Sequence, residues 1–557
     1  MRIAIVGGVA GGASAATRAR RLNEQAEITI YEKGPYVSYA NCGLPYYVGG
    51  DIARSEDLLL ETPESLWDRF RIRVHVNTEV RHVDPGSGNL VFQHDGLSHS
   101  AAFDRLVLAP GAMPIAPKIP GIERPDVFLL RTVPDAMRLR QYLESHTVRH
   151  AAIIGAGFIG LEMAEVIKHR GIEVTVVDQA PHVLPPIDLD IADFLQSRLS
   201  ANLGIRLLLS NTLLGIHGQT GSPVIDLSES PRLTADIVVI GLGVRPSLHL
   251  AQSIGLALGP TGAIQVNTHM QTSHPNIWAA GDAVEKRCLV TGNPRWWPLA
   301  GVANKEGRVA GNNAAGGDII LQGALGTGIV RISPYVVGVT GLTEKTAQQD
   351  GVAYQVLHTI RGNHAGYYPG ARDILIKLLY EPDSGRILGA QAVGEDGVDK
   401  RIDVIATAIH AHMTINDLAE LDLAYAPPVG AAKDPVIIAG MAASNHQHAL
   451  THSISSRELD HWLNQDDAPF LLDVRNAPEV QETGIISGAH QIPLDELRHR
   501  IHETPATGPI VVYCRSGHRS YLAARILRQN GREQVYNLSG GVSLWGPARL
   551  HPVTAVV

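Results

Sequence analysis

Two glycine-rich turns, each set between a short apolar run and a helical segment, constrain this chain more than any other feature. The first turn follows residues 2–6 (RIAIV), and the second follows the run at 150–155 (HAAIIG). Another strand-like run comes next in each case, at residues 27–32 and 172–178. A strand, a glycine turn, a helix and a second strand make the βαβ unit that binds dinucleotides. Two copies of this unit predict an α/β protein with two Rossmann-like domains.

The first glycine turn, residues 7–12 (GGVAGG), has the features of a pyrophosphate site. The N-terminus of the following helix offers unpaired N–H groups, and glycine lets a phosphate approach the backbone. An acid at the end of the next strand, Glu32, is placed to bond a ribose hydroxyl. Val9 replaces the middle glycine of the fingerprint, so an ordinary α/β glycine turn is the alternative. The residues predicted to bind the cofactor here are Gly7, Gly8, Ala10, Gly11, Glu32 and Lys33.

Two later segments indicate that this first cofactor is FAD. Residues 272–283 (TSHPNIWAAGDA) resemble the second flavin motif of flavoproteins with two dinucleotide domains, where the aspartate bonds the ribityl chain. Residues 106–111 (LVLAPG) complete the set. The resemblance implies a discontinuous FAD-binding domain, residues 1–112 and 241–323, with the second domain inserted. It adds four cofactor residues, Ala109, Gly111, Gly281 and Asp282.

The second glycine turn is a complete G-x-G-x-x-G fingerprint between a strand and a helix. Asp178 closes the next strand, where an acid accepts a hydrogen bond from the ribose 2′-hydroxyl and repels a 2′-phosphate. Residues 179–182 (QAPH) supply no arginine for that phosphate. We therefore predict an NAD(P)H-binding domain at 113–240 that favours NADH and leaves NADPH possible. The residues assigned to it are Gly155, Gly157, Phe158, Ile159, Gly160 and Asp178.

The composition narrows the functional classes. The chain has 557 residues, with 47 Lys and Arg against 55 Asp and Glu. Because it lacks a long basic run, neither nucleic acid nor a membrane surface is an expected partner. No apolar run reaches about 18 residues, so we expect no transmembrane helix. The three cysteines form no disulfide framework or metal site, which fits a reducing, cytoplasmic setting.

Residues 38–47 (SYANCGLPYY) hold one cysteine where enzymes of the glutathione reductase type carry two. The C-x-x-x-x-C pattern of those enzymes becomes Cys42 and Tyr47 here. Without a resolving thiol nearby, a reactive Cys42 has to cycle as a mixed disulfide, a persulfide or a sulfenic acid. We expect a helix N-terminus or a positive neighbour to lower its pKa. A buried, inert thiol is the alternative.

Three segments together resemble the coenzyme A disulfide reductases of the single-cysteine flavoprotein family. They are SYANCGLPYY, residues 7–21 (GGVAGGASAATRARR) and residues 421–428 (LDLAYAPP). Relatives with a rhodanese tail act as NADH-dependent persulfide or polysulfide reductases. The resemblance implies a mixed disulfide between Cys42 and coenzyme A, and it assigns coenzyme A contacts to Ser14, Arg18, Arg21, Ser38, Asn41, Asn304 and Lys433. Arg18 and Arg21 share a helix face and could grip phosphates, although a solvated helix face is the alternative.

Residues 324–445 resemble the dimerisation domain of that family. The resemblance implies a homodimer in which tyrosines of one subunit approach the active cysteine of the other. The candidates are Tyr425 and Tyr367, and Tyr368 could take the role of Tyr367. A phenol there could hydrogen-bond or protonate the departing sulfur. A tyrosine with a purely structural hydroxyl contact is the alternative.

The last hundred residues restart a small α/β pattern after a polar linker at 446–456. A strand ends at Cys514 and a helix follows, so successive N–H groups can surround the sulfur. Residues 471–480 (LLDVRNAPEV) and the loop Arg515, Ser516, Gly517, His518 and Arg519 resemble a rhodanese with its catalytic cysteine present. The resemblance implies a rhodanese-like domain at 457–557, and a binding module without sulfur transfer is the alternative. Cys288 fits no motif and is interpreted as structural, and no metal site is predicted.

The combined interpretation is an NADH-dependent flavoprotein that reduces a coenzyme A-linked persulfide, polysulfide or disulfide through Cys42. Cys514 would handle sulfane sulfur. Three alternatives stay open: a strict coenzyme A disulfide reductase, an NADH oxidase or peroxidase with a sulfenic Cys42, and a redox-sensing flavoprotein. Related peroxidases carry a histidine in the first glycine loop, and Val9 and Ala10 occupy this loop instead.

Overall fold

Two structural units divide the chain in the computed structural model, which describes residues 1–546 and 549–552. The first unit joins Met1–Pro185 to Gly204–Gly326, and the second joins Pro186–Leu203 to Thr327–Val557. Within the described ranges, no helix has the length and apolar content needed to cross a lipid bilayer.

The first unit holds the strands up to residue 295. They are β1 (Arg2–Val6), β2 (Glu27–Tyr31), β3 (Ile72–His75), β4 (Thr78–Asp84), β5 (Asn89–His94), β6 (Leu97–Ala102), β7 (Arg105–Leu108), β8 (Ala112–Pro114), β9 (Val127–Leu129), β10 (His150–Ile154), β11 (Glu173–Val177), β12 (Arg206–Leu208), β13 (Leu213–Gln219), β14 (Ser222–Leu227), β15 (Leu233–Thr234), β16 (Ile237–Ile240), β17 (Val244–Pro246), β18 (Ile277–Ala279), β19 (Lys286–Arg287) and β20 (Pro294–Arg295). The helices up to residue 314 are α1 (Ala10–Leu22), α2 (Leu44–Gly49), α3 (Pro63–Phe70), α4 (Val133–Ser145), α5 (Phe158–His169), α6 (Leu189–Leu203), α7 (His249–Ser253) and α8 (Ala300–Ala314). Of these helices, α6 belongs to the second unit.

Two parallel sheets of the same construction form the framework of the first unit. Their strand orders are β18-β7-β1-β2-β3 and β9-β16-β10-β11-β12. In each sheet the strand before the glycine turn is central and pairs in parallel with the strand after the helix. Helices cover both faces of such sheets, which explains the uninterrupted apolar runs of β1 and β10. The two predicted Rossmann-like domains are thereby confirmed. β18 lies beside β7, so residues far apart in sequence share the first sheet.

The second unit holds the remaining elements. Its strands are β21 (Gly328–Ile332), β22 (Tyr335–Gly341), β23 (Gln355–Gly362), β24 (Asp373–Tyr380), β25 (Ile387–Gly394), β26 (His452–Ile454), β27 (Phe470–Asp473), β28 (His490–Gln491), β29 (Ile510–Tyr513) and β30 (Val535–Leu538). Its helices besides α6 are α9 (Glu344–Gln349), α10 (Val398–His410), α11 (Ile415–Ala419), α12 (Pro435–Gln447), α13 (Ser456–Leu463), α14 (Ala477–Thr483), α15 (Leu497–Arg500), α16 (His518–Gln529) and α17 (Gly541–Trp545).

An antiparallel sheet and a parallel sheet organise the second unit. The antiparallel sheet has the order β21-β22-β25-β24-β23, and the parallel sheet has the order β26-β30-β29-β27-β28. The first is the predicted α+β domain, and the second, with helix α16 after its central strand β29, is the predicted rhodanese-like α/β domain. The predicted fold class is therefore confirmed for the whole chain.

Helix α6 departs from the predicted boundaries. It lies inside the span 113–240 assigned to the nicotinamide domain, yet it belongs to the second unit. The buried ammonium group of Lys377 on β24 lies 3.0 Å from Asp188 and 2.8 Å from Asp190, at the start of this helix, and 2.5 Å from Glu344. A buried charge requires such partners. The sequence alone does not show that α6 belongs to the second unit, because Lys377 lies far along the chain from α6.

The segment 446–456, predicted as a polar linker, is partly regular structure. Helix α12 continues to Gln447, and β26 pairs in parallel with β30 of the rhodanese-like sheet. Thr451 and Ile454 are buried. The many histidines and serines hide this strand, because a three-residue edge strand presents only one clearly apolar side chain inward.

Candidate active sites

The first glycine turn brings the backbone of two strands and a helix into contact. Gly7 has a φ of +90°, and a Cβ on it would lie 2.1 Å from the Ala109 carbonyl oxygen. A Cβ on Gly12 would lie 1.8 Å from the Gly7 carbonyl oxygen. Glycine is therefore obligatory at both positions, because no side chain fits. The turn leaves the first N–H groups of α1, which begins at Ala10, at the carboxyl end of β1.

Glu32 braces the first glycine turn. One carboxylate oxygen accepts a hydrogen bond from the Gly8 N–H at 2.7 Å, and the other accepts from the Gly34 N–H at 2.8 Å. Burial raises the pKa of Glu32, and these N–H contacts oppose the increase. The acid predicted to bond a ribose thus also holds the loop in shape. Lys33 beside it forms an ion pair with Glu79 at 2.9 Å.

The second flavin motif rests on a buried ion pair that the sequence analysis missed. Gly281 donates its N–H to Glu306 at 2.8 Å, and Lys286 donates to the Gly281 carbonyl oxygen at 2.6 Å. The Lys286 and Glu306 side chains lie 3.6 Å apart. Burial raises the pKa of Glu306 to about 7 and lowers that of Lys286. The available signal was a single acid within the small-residue helix α8.

Arg131, which was not among the predicted site residues, lies next to both Asp282 and Gly111. A guanidinium nitrogen of Arg131 lies 3.7 Å from the Asp282 carboxylate. The same side chain donates to the Ala112 carbonyl oxygen at 3.0 Å, and a Cβ on Gly111 would lie 3.1 Å from it. Arg131 therefore places a positive charge beside the flavin motifs.

The second glycine turn has the same geometry with one open position. A Cβ on Gly155 would lie 2.3 Å from the Gly241 carbonyl oxygen, and one on Gly160 would lie 1.9 Å from the Gly155 carbonyl oxygen. Apart from its chain neighbours, no described residue has an atom within 4 Å of a Cβ built on Gly157. Packing of the chain therefore does not require glycine there, whereas the close approach of a pyrophosphate does. Half-buried Phe158 and Ile159 begin α5 directly after it.

Asp178 occupies the position predicted for the ribose contact. It is buried, and its carboxylate accepts hydrogen bonds from the Ala156 N–H at 2.5 Å and the Ala180 N–H at 2.7 Å. This arrangement repeats that of Glu32 at the first turn. Both glycine turns thus fit the pyrophosphate and ribose of a dinucleotide, with an acid at the end of the second strand in each.

Cys42 lies in a short 3₁₀ turn, Asn41–Gly43, directly before helix α2. Its side chain is exposed. Desolvation of the thiol and the carboxylates of Glu162 and Asp282 raise the pKa of Cys42, and Arg131 opposes them. Arg131 is thus a positive neighbour of the expected kind, but the expected net lowering of the pKa is wrong, because desolvation, followed by the two acids, outweighs it. Glu162 was not among the predicted site residues, and burial raises the pKa of its carboxyl group to about 7.

Several predicted coenzyme A contacts lie together on the packed helices α1 and α8. The Ser14 hydroxyl donates to the Asn304 side-chain oxygen at 2.7 Å, although the two residues are 290 positions apart. The Arg18 guanidinium donates to Asn312 at 2.7 and 3.0 Å. Arg21, also on α1, donates to the Thr17 carbonyl oxygen.

Two more of these contacts flank the cysteine loop. Ser38 has a φ of +48° and donates its N–H to the Gly8 carbonyl oxygen at 2.8 Å. The side-chain oxygen of Asn41 is buried without a hydrogen-bond partner among the described residues. Lys433 belongs to the second unit, where it lines a cavity.

The two predicted tyrosines of the second unit meet. The hydroxyl oxygens of Tyr367 and Tyr425 lie 2.9 Å apart, and both rings are exposed. The hydrogen bond between the two hydroxyl groups raises the pKa of Tyr367, as it does when Tyr367 donates to Tyr425. Tyr368 instead packs edge-on against His364, with ring centroids 5.6 Å apart. The structure thus pairs Tyr367, rather than Tyr368, with Tyr425.

The Cys514 loop has the shape expected of a sulfur-binding nest. The sulfur is 1% exposed and accepts from the Gly517 N–H at 3.2 Å and from the Ser520 hydroxyl at 3.4 Å. Gly517 has a φ of +92°, which suits glycine. Ser520, on helix α16 directly after the loop, is a sulfur contact that was not among the predicted site residues.

Both arginines of the Cys514 loop are engaged in ion pairs. Arg519 forms two hydrogen bonds of 2.6 Å with Glu479, and Arg515 reaches Asp373 on β24 at 2.6 Å. Burial, followed by the charges of Arg361 and Arg519, lowers the pKa of His518. Ser516, Gly517 and His518 line the same cavity as Lys433.

Two dinucleotide turns in one chain, with a solitary cysteine close to the acid of the flavin motif, define an oxidoreductase that exchanges electrons between bound nucleotides and sulfur. The known families agree with this class. Residues 1–307 match the pyridine nucleotide-disulphide oxidoreductase family, 329–435 match its dimerisation domain, and 455–548 match the rhodanese-like domain. The chain belongs to the pyridine nucleotide-disulphide oxidoreductase family, and it is an FAD- and NAD(P)H-dependent enzyme with a fused rhodanese-like domain.

Individual relatives are similar over most or all of the chain. The NAD(P)H coenzyme A polysulfide/persulfide reductase of Pyrococcus horikoshii is 36% identical over 438 residues, covering 78% of this chain and 97% of that protein. The crystal structure of reduced Bacillus anthracis CoADR-RHD matches with a TM-score of 0.95 and 42% identity, over 99% of both chains. The NAD-dependent persulfide reductase from A. fulgidus matches with a TM-score of 0.92 and 37% identity, over 98% of this chain and 100% of that one.

Proposed function

We propose that this protein is a homodimeric, NADH-dependent reductase of coenzyme A-linked persulfide or disulfide, with Cys42 as the redox cysteine and Cys514 as a carrier of sulfane sulfur. The observation that carries the proposal is the exposed Cys42 in its turn before α2, electrostatically coupled to Asp282 of the flavin motif. The dimerisation domain and the similarity to named coenzyme A persulfide reductases support it. Three free thiols suit a cytoplasmic setting.

The chain's own residues fit both cofactors. Glu32 and Asp178 hold the two glycine turns for the pyrophosphates, and Asp178 favours NADH because its carboxylate repels a 2′-phosphate. When bound, FAD and NADH supply the two electrons that return oxidised sulfur at Cys42 to the thiol. Arg131 places positive charge beside Asp282 and favours the thiolate of Cys42.

The sulfur step at Cys42 is a thiol–disulfide exchange. The thiolate attacks one sulfur of the substrate S–S bond, a bond forms between Cys42 and that sulfur, and the other sulfur leaves with the electron pair. Ser14 and Asn304, already hydrogen-bonded to each other, support a coenzyme A site on α1 and α8. Arg18 and Arg21 supply guanidinium groups for its phosphates on the same helix.

The Tyr367 and Tyr425 pair supports a proton donor for the departing sulfur. A phenol hydrogen-bonded to a second phenol can donate to a thiolate while the partner stabilises the charge that remains. Both rings are exposed in the single chain, as a group that serves a partner subunit would be. In this proposal, each Cys42 is served by the two tyrosines of the other subunit.

Replacing Cys42 tests the proposal directly. We expect Cys42→Ser to keep bound FAD yet lose NADH-dependent reduction of coenzyme A persulfide and disulfide by at least about a thousandfold, because the nucleophile is gone. Cys288→Ser is the matched control, since Cys288 is buried and should leave turnover unchanged. Intact mass should show one coenzyme A on the unreduced protein and none on Cys42→Ser. Undiminished turnover of Cys42→Ser would refute the assignment.

A further inference from the structure

A cavity of about 230 Å³ lies inside the second unit, between the antiparallel sheet and the Cys514 loop. Strand β23 and helix α12 form one side, and residues 516–518 with residues around β30 form the other. Two polar contacts join these sides. His358 bonds the Ser539 hydroxyl at 2.8 Å, and Arg515 reaches Asp373 at 2.6 Å. The cavity therefore lies between two parts of the second unit that contact each other directly.

Polar atoms without partners are concentrated on this cavity. Thr359, Thr451, Ser453 and Asn537 all line it, and each has a buried side-chain oxygen with no hydrogen-bond partner among the described residues. Thr359, Thr451 and Asn537 are 8%, 3% and 8% exposed. Leaving such atoms unpaired costs free energy, so rotation of these side chains toward a polar molecule in the cavity would be favoured.

The charge of the cavity wall selects an anion. Arg361 and Lys433 line it, and none of its described lining residues is acidic. Two acids next to the wall are already paired, Asp373 with Arg515 and Asp190 with His358 and Lys377. Arg361 is half-buried and lies within electrostatic reach of the Cys514 sulfur. A half-buried guanidinium that forms no ion pair with a carboxylate among the described residues favours binding of an anionic group.

The size and the apolar part of the wall select an organic molecule. Leu357, Ile360, Ile438 and Met441 also line the cavity. A wall with aliphatic side chains and a few convergent polar groups is typical of a small-molecule site. Gly517, which lines the cavity, donates its N–H to the Cys514 sulfur at 3.2 Å. A molecule held here lies beside the Cys514 loop.

We propose that this cavity binds an anionic low-molecular-weight organic persulfide as sulfur donor for Cys514, with Arg361 of the dimerisation domain holding its anionic group. The inference rests on the proposed role of Cys514. In the step, the Cys514 thiolate attacks the outer sulfur of the donor, and a Cys514–sulfur bond forms as the donor S–S bond breaks. The electron pair leaves on the donor thiolate, and the outer sulfur becomes the persulfide on Cys514. No external oxidant or reductant is needed.

Arg361→Met tests the anion contact in the full-length holoenzyme. We expect the KM for glutathione persulfide or coenzyme A persulfide to rise about tenfold, with a smaller change in kcat. Arg361→Lys should restore much of the affinity, because it keeps the charge. Arg331→Met, on β21 of the same sheet, is the control and should match the wild type. Flavin content and melting temperature verify folding of every variant.

Thr359→Val with Thr451→Val tests the unpaired hydroxyl groups. We expect the double variant to melt at a higher temperature, since two buried unpaired oxygens are gone, and yet to bind persulfide more weakly. Higher stability with an unchanged KM would show that these oxygens serve packing alone and would contradict the site.

Three results separate the possible failures. If Arg361→Met weakens binding of only one of the two persulfides, that persulfide identifies the donor thiol as glutathione or coenzyme A. If only thiosulfate loses affinity, the cavity is an inorganic anion site and the proposal is overturned. If transfer requires Cys514 by the Cys514→Ser test but ignores Arg361, this inference fails while the proposed function stands. Binding of S-methylglutathione, measured by calorimetry to the wild type and Arg361→Met, decides the anion contact even if Cys514 proves inactive.

Discussion

The protonation of Cys42 depends on a few named charges. Desolvation raises the pKa of this thiol most, Glu162 and Asp282 raise it further, and Arg131 lowers it. Glu162 itself has a pKa of about 7, so its carboxylate carries charge through the range in which a thiol titrates. A thiol with a raised pKa is less nucleophilic at neutral pH because less of it is thiolate. The charge of Glu162 therefore restrains the reactivity of free Cys42.

Glu162→Gln should lower the pKa of Cys42. Removing one negative charge favours the thiolate, and we expect a downward shift of about one unit, typical of a nearby charge. The measurement is the rate of alkylation by iodoacetamide between pH 7 and pH 10 in the reduced holoenzyme, which should rise at lower pH than in the wild type. Glu173→Gln, at the exposed start of β11, is the control. A profile identical to that of the wild type would show that Glu162 does not act on this thiol.

The residue assignments show what a sequence can reveal. Gly7, Gly155 and their acids were predicted because the chemistry of a glycine turn is local, within one βαβ unit. Glu306, Lys286 and Arg131 were missed because their roles depend on contacts between distant segments. The pKa of Cys42 was predicted in the wrong direction for the same reason, since its desolvation and the charge of Glu162 on α5 both depend on segments that are distant in sequence.

At the scale of elements, helices α1 and α8 depend on glycine for their close approach. A Cβ on Gly311 would lie 2.1 Å from the Ala15 carbonyl oxygen, and one on Gly307 would lie 2.2 Å from that of Gly11. The same helices carry Ser14 and Asn304. Their close approach therefore positions both the first glycine turn and the predicted coenzyme A site.

Gly311→Ala and Gly301→Ala form a matched pair on helix α8. Outside the backbone of α8 and the neighbours of Gly301, no atom in the described part of the chain lies within 4 Å of a Cβ built on Gly301. Alanine there should therefore be neutral or stabilise by up to about 1 kcal/mol through its helix propensity. Gly311→Ala should destabilise the protein by about 1–3 kcal/mol, because overpacking pushes the helices apart. Thermal unfolding followed with FAD release measures both. Equal melting temperatures for the two variants would contradict the close contact.

The boundaries of elements were predicted better than their partners. Strands β1, β2, β10 and β11 lie within a residue or two of the predicted runs. Two features were missed: that α6 belongs to the second unit and that β26 is a strand. The first depends on the buried Lys377 and the second on pairing with β30, and local sequence patterns show neither neighbour.

At the scale of the whole molecule, the proposed active site requires two chains. Cys42 belongs to the first unit, and the Tyr367 and Tyr425 pair belongs to the second. In a two-fold dimer, any contact between the tyrosine pair of one subunit and the Cys42 surface of the other occurs twice. Each subunit could then supply the tyrosines for the cysteine of the other. A shared active site predicts that two inactive variants restore activity when they form hybrid dimers. A site within one chain would not show this recovery.

Hybrid dimers should recover activity that both parents have lost. One parent carries Cys42→Ser, and the other carries Tyr367→Phe with Tyr425→Phe, which keeps both rings and removes both hydroxyl groups. After subunit exchange, half of the dimers are hybrids, and each hybrid has one site with an intact cysteine and intact tyrosines, so turnover should reach about a quarter of the wild-type value. If the tyrosines served the cysteine of their own chain, every site in the hybrid would be defective and no activity would return. Mixing two samples of the tyrosine variant under the same exchange conditions controls for changes caused by the treatment, and recovery no greater than this control would exclude a shared active site.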